Sequence, residues 1–143
     1  MVKKNNKKYY WKGWDKNPEF ERTIDRLKKK LPIMECSKQL VSIISKFYKP
    51  KMKILDFGCA AGHYYYALKK LDKNISYTGL DATKFYIDYA KDFFKKENNI
   101  YFDRQSLFRL NKKYNKQFDI VYCCNVLLHL PSVDDPIKNL LKA

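Results

Sequence analysis

The stretch KILDFGCAAGHYY, residues 53–65, ends an apolar run on an acid, Asp56, and follows it with small residues at alternate positions, Gly58, Ala60 and Gly62. Small residues at such a turn let a ligand come close to the backbone, and the helix that the turn enters offers unpaired N–H groups. Together they point to a nucleotide-type cofactor. The dinucleotide fingerprint needs a third glycine at position 63, where this chain has His63, so NAD fits poorly. Asp56 sharpens the distinction, because a carboxylate there would repel a pyrophosphate and attract a cationic ligand group. Nineteen residues after Gly62, YTGLD closes on Asp81, whose two oxygens could accept hydrogen bonds from both hydroxyls of a ribose. Without the two acids, a tight strand-to-helix corner that binds nothing stays a competing reading of the glycine turn.

A cofactor with an adenosine ribose and cationic ammonium and sulfonium groups is S-adenosylmethionine. Methyl transfer from a sulfonium is an in-line displacement whose reactant carries its own activation, so no catalytic side chain and no metal is required. Oxygen and nitrogen acceptors can still need a proton removed. His129 is the one residue in a plausible place to take it, with packing beside a strand as the competing reading. His63, at a helix start, reads as a surface or cofactor-rim residue. Cys36, Cys59, Cys123 and Cys124 show neither CxxC spacing nor a secreted framework, and read as reduced thiols. Cys123 and Cys124 read as small buried hydrophobes at a strand end.

The elements that must position these groups fall in two parts. Residues 1–50 read as a leader: an irregular Lys, Asn and aromatic segment through residue 17, in which Tyr9, Tyr10, Trp11 and Trp14 supply surface for docking, then two helices. The first is expected over 18–30, with Pro18 in its first turn, Phe20, Ile24 and Leu27 at helical spacing, and Pro32 as its stop. The second is expected over 34–48, with Leu40, Val41, Ile44 and Phe47 on one face. From residue 51 to 143 the rhythm changes to short apolar strands at 53–57, 76–80, 100–103 and 119–123, alternating with helices at 62–71, 84–95 and from about Pro136. Thr83 is a candidate N-cap for the helix at 84–95. The alternation predicts an α/β, doubly wound parallel sheet with helices on both faces.

Composition bounds the rest. At 143 residues the chain has the size of one domain, and 45% apolar with 31% charged residues fits a soluble globular protein. Its apolar runs fall short of the ~20 residues that span a bilayer, and its amino terminus has no hydrophobic signal core, so a cytoplasmic location is expected. The net charge of +15 would attract phosphate backbones. However, it is carried by 26 lysines and only 4 arginines beside 10 asparagines, a balance that base composition alone could produce.

Residues 51–142 resemble the first four strands of a class I S-adenosylmethionine-dependent methyltransferase of the type 11 methyltransferase domain group. KILDFGCAAG resembles the family's first motif, with Ala60 in place of its middle glycine, and GLDAT its ribose-binding acid. FDIVYCCNVLLHLPS resembles the fourth-strand motif. The adenine-binding acid expected after the third strand is replaced, with Gln105 and Ser106 at its place and Asp103 nearby. The segment ERTIDRLKKKLPIMECSKQL resembles a leader that precedes uncharacterised members of the group.

The resemblance implies a Rossmann-like sheet in the order 3-2-1-4, S-adenosylmethionine as cofactor, and cofactor contacts from Asp56, Gly58, Cys59, Ala60, Gly62, Asp81, Ala82, Ser106, Leu107 and Asn125. It implies methyl transfer to a small-molecule or glycan-type acceptor. A basic nucleic-acid-binding module, or a nucleic-acid methyltransferase, is the alternative. The family's sheet continues through three more strands, which this chain lacks, so a truncated frame or a fragment is expected. Its fourth strand should then act as an edge that drives self-association or recruits a complementary fragment.

Overall fold

The computed structural model describes Trp14 and residues 18–143. Tyr9, Tyr10 and Trp11 lie outside the described residues.

Helix α1 (Pro18–Leu27) starts on a proline, carries Glu19 and Glu21 in its first turn and Arg26 in its last, as the helix dipole favours. It ends three residues before the expected 30. Lys29 turns left-handed at φ 60°, and the N–H groups of Lys30 and Leu31 close back on the Asp25 carbonyl. That is a Schellman-like closure, so Pro32 does not set the boundary. Helix α2 (Glu35–Ile44) also stops short of Tyr48. Ser45 donates its hydroxyl back to the Ser42 carbonyl, and the next residues tighten into i to i−3 turns. Phe47, expected on the buried face, is consequently 66% exposed.

The strands are β1 (Lys53–Phe57), β2 (Ser76–Asp81), β3 (Ile100–Arg104) and β4 (Ile120–Tyr122). All pairings are parallel, in the order β3-β2-β1-β4, so the expected α/β sheet and its strand order are present. Between β1 and β2 lies only a four-residue helix, α3 (Tyr65–Leu68), where ten residues were expected. Gly62 holds φ at 82° and Ala60 at 49°, so neither can begin a helix, and turns fill the gap on both sides. Helix α4 (Lys84–Phe93) follows β2, and α5 (Asp134–Leu140) follows β4. Thr83 occupies the N-cap position of α4 in extended conformation, without a side-chain cap bond.

Alternation along β1 divides the core. Ile54 faces a cluster built with Ile24 and Leu27 of α1, Ile44 of α2, Leu68 of α3 and Ile87 of α4. Leu55 and Phe57 face a second cluster with Leu80, Leu107 and Tyr114, against which Leu140 of α5 packs. Helices therefore cover both faces of the sheet, and the two leader helices belong to the main core. No helix among the described residues is long and apolar enough to cross a membrane.

Candidate functional site

A cavity of about 470 Å³ opens at the carboxyl ends of β1, β2 and β4, within the usual range for small-molecule sites. In an open parallel sheet this is the crevice where strand order reverses, here between β1 and β4.

The turn after β1 forms its floor. Gly58 has φ 89°, and its N–H donates to the Leu80 carbonyl at 2.6 Å. A Cβ at Gly58 would stand 2.3 Å from Val126 Cγ2, so glycine lets the chain after β4 close over the turn. A Cβ at Gly62 would meet the Phe102 ring at 2.6 Å, so this glycine serves the packing of α3's approach on β3. The N–H of Ala60 donates to Asp81 Oδ2 at 3.0 Å, and that of Thr83 to Asp81 Oδ1 at 2.8 Å. Asp81 is thus oriented by a backbone donor on each oxygen, and the Thr83 side chain and Ala82 N–H also reach its carboxylate. Burial raises its pKa, and these backbone bonds oppose the rise.

Of the ten residues expected at the cofactor, Gly58, Ala60, Asp81, Ala82, Leu107 and Asn125 line this cavity. The other four do not reach its wall. Asp56 shares the face of Ile54, is 1% exposed, and accepts the Tyr77 hydroxyl at 2.6 Å. It therefore lies behind the cavity wall, where the sequence suggested a ligand contact, and burial pushes its carboxyl up to about 7. Cys59 is buried and donates to the Ala60 carbonyl. Gly62 packs as described. Ser106 accepts the Phe108 N–H, and its neighbours Gln105 and Leu107 take the cavity positions. Asp103 is absorbed by Tyr114, Lys113 and Gln105 and stays out of the wall.

The sequence reading missed the leader's share. Glu19, Thr23 and Arg26 lie at helical spacing on α1, and all three line the cavity, as does Met34. Their signal was a polar stripe beside the apolar one of Phe20, Ile24 and Leu27. Arg26 makes no ion pair with any described residue. Beside it, both ring nitrogens of His63 are buried without a hydrogen-bond partner. Burial, helped by the Arg26 charge, lowers the His63 pKa to about 4, so the ring is neutral at physiological pH. These polar groups fit a ligand with an anionic end. Across the cavity, the Trp14 ring meets His129 edge to face at 4.7 Å, and both belong to the wall. Asn125, left-handed at φ 58°, turns the chain there.

A 3-2-1-4 parallel sheet with a small-residue turn after its first strand and an acid ending its second is the arrangement of the class I S-adenosylmethionine-dependent methyltransferases. Residues 48–143 match a family profile described as a methyltransferase domain, and the chain belongs to that family. A tRNA U34 carboxymethyltransferase of Helicobacter pylori strain P12 is 30% identical over 93 residues, 63% of this chain and 35% of that protein. The chain thus spans about a third of the length of the curated relatives it matches. Among solved structures, the YcgJ protein of Bacillus subtilis aligns with TM-score 0.62 and 24% identity over 75% of this chain and 45% of its own. The trans-methyltransferase CalH, in complex with SAH, aligns with TM-score 0.59 and 19% identity over 73% of this chain and 32% of its own. These likenesses concern the fold.

Proposed function

We propose that this chain binds S-adenosylmethionine in the β1/β4 crevice and supports methyl transfer to a small-molecule or glycan-type acceptor in the cytoplasm, with residues 51–143 as the cofactor-binding half and 1–50 as its leader. The observation that carries the reading is Asp81, which ends β2 in the cavity wall and is held in place by the Ala60 and Thr83 amides, an acid positioned to meet a ribose diol. Ala82, Gln105 and Leu107 would hold the adenine, and the turn through Gly58 and Ala60 would lie beside the amino-acid tail. Arg26 and the neutral His63 suit the carboxylate of that tail. When bound, the sulfonium supplies an activated methyl group. The chain's own residues position the partners and exclude water, Trp14 closing against His129. His129, in the cavity wall, would take the proton from an oxygen or nitrogen acceptor that needs one removed.

A second reading is a nucleic-acid acceptor. It is favoured by the +15 charge and by the name of the curated relatives, tRNA U34 carboxymethyltransferase. Retention on immobilised tRNA tests it. A loss of retention by orders of magnitude between about 50 and 200 mM salt supports the nucleic-acid acceptor, whereas passage without delay at the lower salt leaves the small acceptor.

A further inference from the structure

In and beside the cavity wall at the end of β4 stands a pair of thiols that cofactor binding does not use. Cys36, in the first turn of α2, and Cys124, two residues past β4, both reach the hydroxyl of Tyr64, at 3.5 and 3.2 Å. Asn125 completes the group, its Nδ2 donating to Cys36 Sγ at 3.5 Å and to Tyr64 Oη at 3.4 Å. Both cysteines are free and only partly buried, unlike Cys59, which is fully enclosed. Cys124 lines the cavity, so a small reagent can reach it.

We infer that Cys36 and Cys124 form a dithiol modification site, where a low-molecular-weight disulfide closes a Cys36–Cys124 bond beside the cofactor crevice. Cys36, partly exposed at the start of α2, loses its proton to solvent and attacks first. Its thiolate takes one sulfur of the reagent, giving a mixed disulfide and releasing one thiolate. Cys124 then gives up its proton to solvent and attacks Cys36 Sγ, releasing the second. Two protein thiols are oxidised and one reagent disulfide is reduced to two thiols.

An S–S bond of about 2 Å leaves no room for the Tyr64 hydroxyl between the sulfurs. Tyr64 and Asn125 both line the cavity, and their hydrogen bonds to the two sulfurs must rearrange when the bond forms. The bond also ties α2 to the end of β4. Oxidation should therefore disturb the wall beside the cofactor's tail, a consequence that rests on the proposed cofactor reading.

The test is to incubate the 143-residue chain with glutathione disulfide, alkylate the remaining thiols, map the peptides, and titrate S-adenosylmethionine before and after reduction with dithiothreitol. The expected result is one linked pair, Cys36 to Cys124, with Cys59 alkylated only after unfolding. Affinity for S-adenosylmethionine should fall roughly tenfold and return on reduction, and Cys36→Ser, whose side chain lies outside the cavity wall, should abolish both effects. Glutathione adducts alone, or a link through Cys123, overturn the site. A Cys36–Cys124 link with unchanged affinity overturns its coupling to the crevice. If the reduced chain binds no S-adenosylmethionine, the cofactor reading fails, while the peptide map still decides the dithiol site.

Discussion

Asp56 is the residue whose environment departs furthest from what its position in the sequence suggested. A carboxylate at the end of β1 invites a ligand contact, yet this one is enclosed with Tyr77 on β2 and its pKa is pushed up to about 7, chiefly by burial. The native state therefore holds this proton at pH values where an unfolded chain, with an ordinary value of 3.8, has lost it. The associated stability is fully present below 3.8 and drains away as pH rises to about 7. The shift corresponds to about 4 kcal/mol. Asp56→Asn keeps an acceptor for Tyr77 and removes the titration. Urea unfolding at pH 5 and pH 8 should show the wild type losing stability between them and the variant losing much less. Equal losses in both would mean that Asp56 is ionised throughout.

At the scale of elements, the turn between β1 and α3 and the segment after β4 form one unit. Gly58 at φ 89° admits Val126 over the turn, so Gly58→Ala should cost about 1 to 2 kcal/mol in backbone strain, with a further penalty for the clash at 2.3 Å. Adding Val126→Ala should relieve the clash and leave the strain. Thermal unfolding of the two single variants and the double variant measures this coupling, and strictly additive losses would contradict the contact.

The same unit explains what the sequence could and could not disclose. The four strands were legible to within two residues because buried β-branched and aromatic runs announce parallel strands. Asp81 was legible because it ends one. The facing of Asp56 was not, since a single strand does not say which side its helices will cover. Nor was the absence of Ser106 from the wall that its neighbours Gln105 and Leu107 reach, which depends on how the chain leaves β3 after Arg104. The contribution of α1 required knowing that the leader helices join the main core. The left-handed residue Lys29, which shortened α1, carries no glycine to mark it, whereas Gly62, at the start expected for α3, does.

For the molecule as a whole, β4 is an edge of the sheet, hydrogen-bonded only to β1 among the described strands. Neither lysine nor proline guards it, and Leu128 and Leu141 beyond it are 73% and 83% exposed. Unpaired strand edges of this kind recruit other chains. Static light scattering on the purified 143-residue polypeptide should show a mass that rises with concentration. A monomer at every concentration would mean that the edge is protected by the chain itself.

The central claim is that the crevice under Asp81 holds S-adenosylmethionine. The most direct measurement is calorimetric titration of the chain and of Asp81→Ala with S-adenosylmethionine, with NAD as the contrasting ligand. The expected result is saturable binding of S-adenosylmethionine, weakened roughly ten- to hundredfold in the variant by the loss of hydrogen bonds to a carboxylate, and no comparable heat from NAD. Micromolar binding of NAD with no signal from S-adenosylmethionine, or equal S-adenosylmethionine affinity in a folded Asp81→Ala chain, would contradict it.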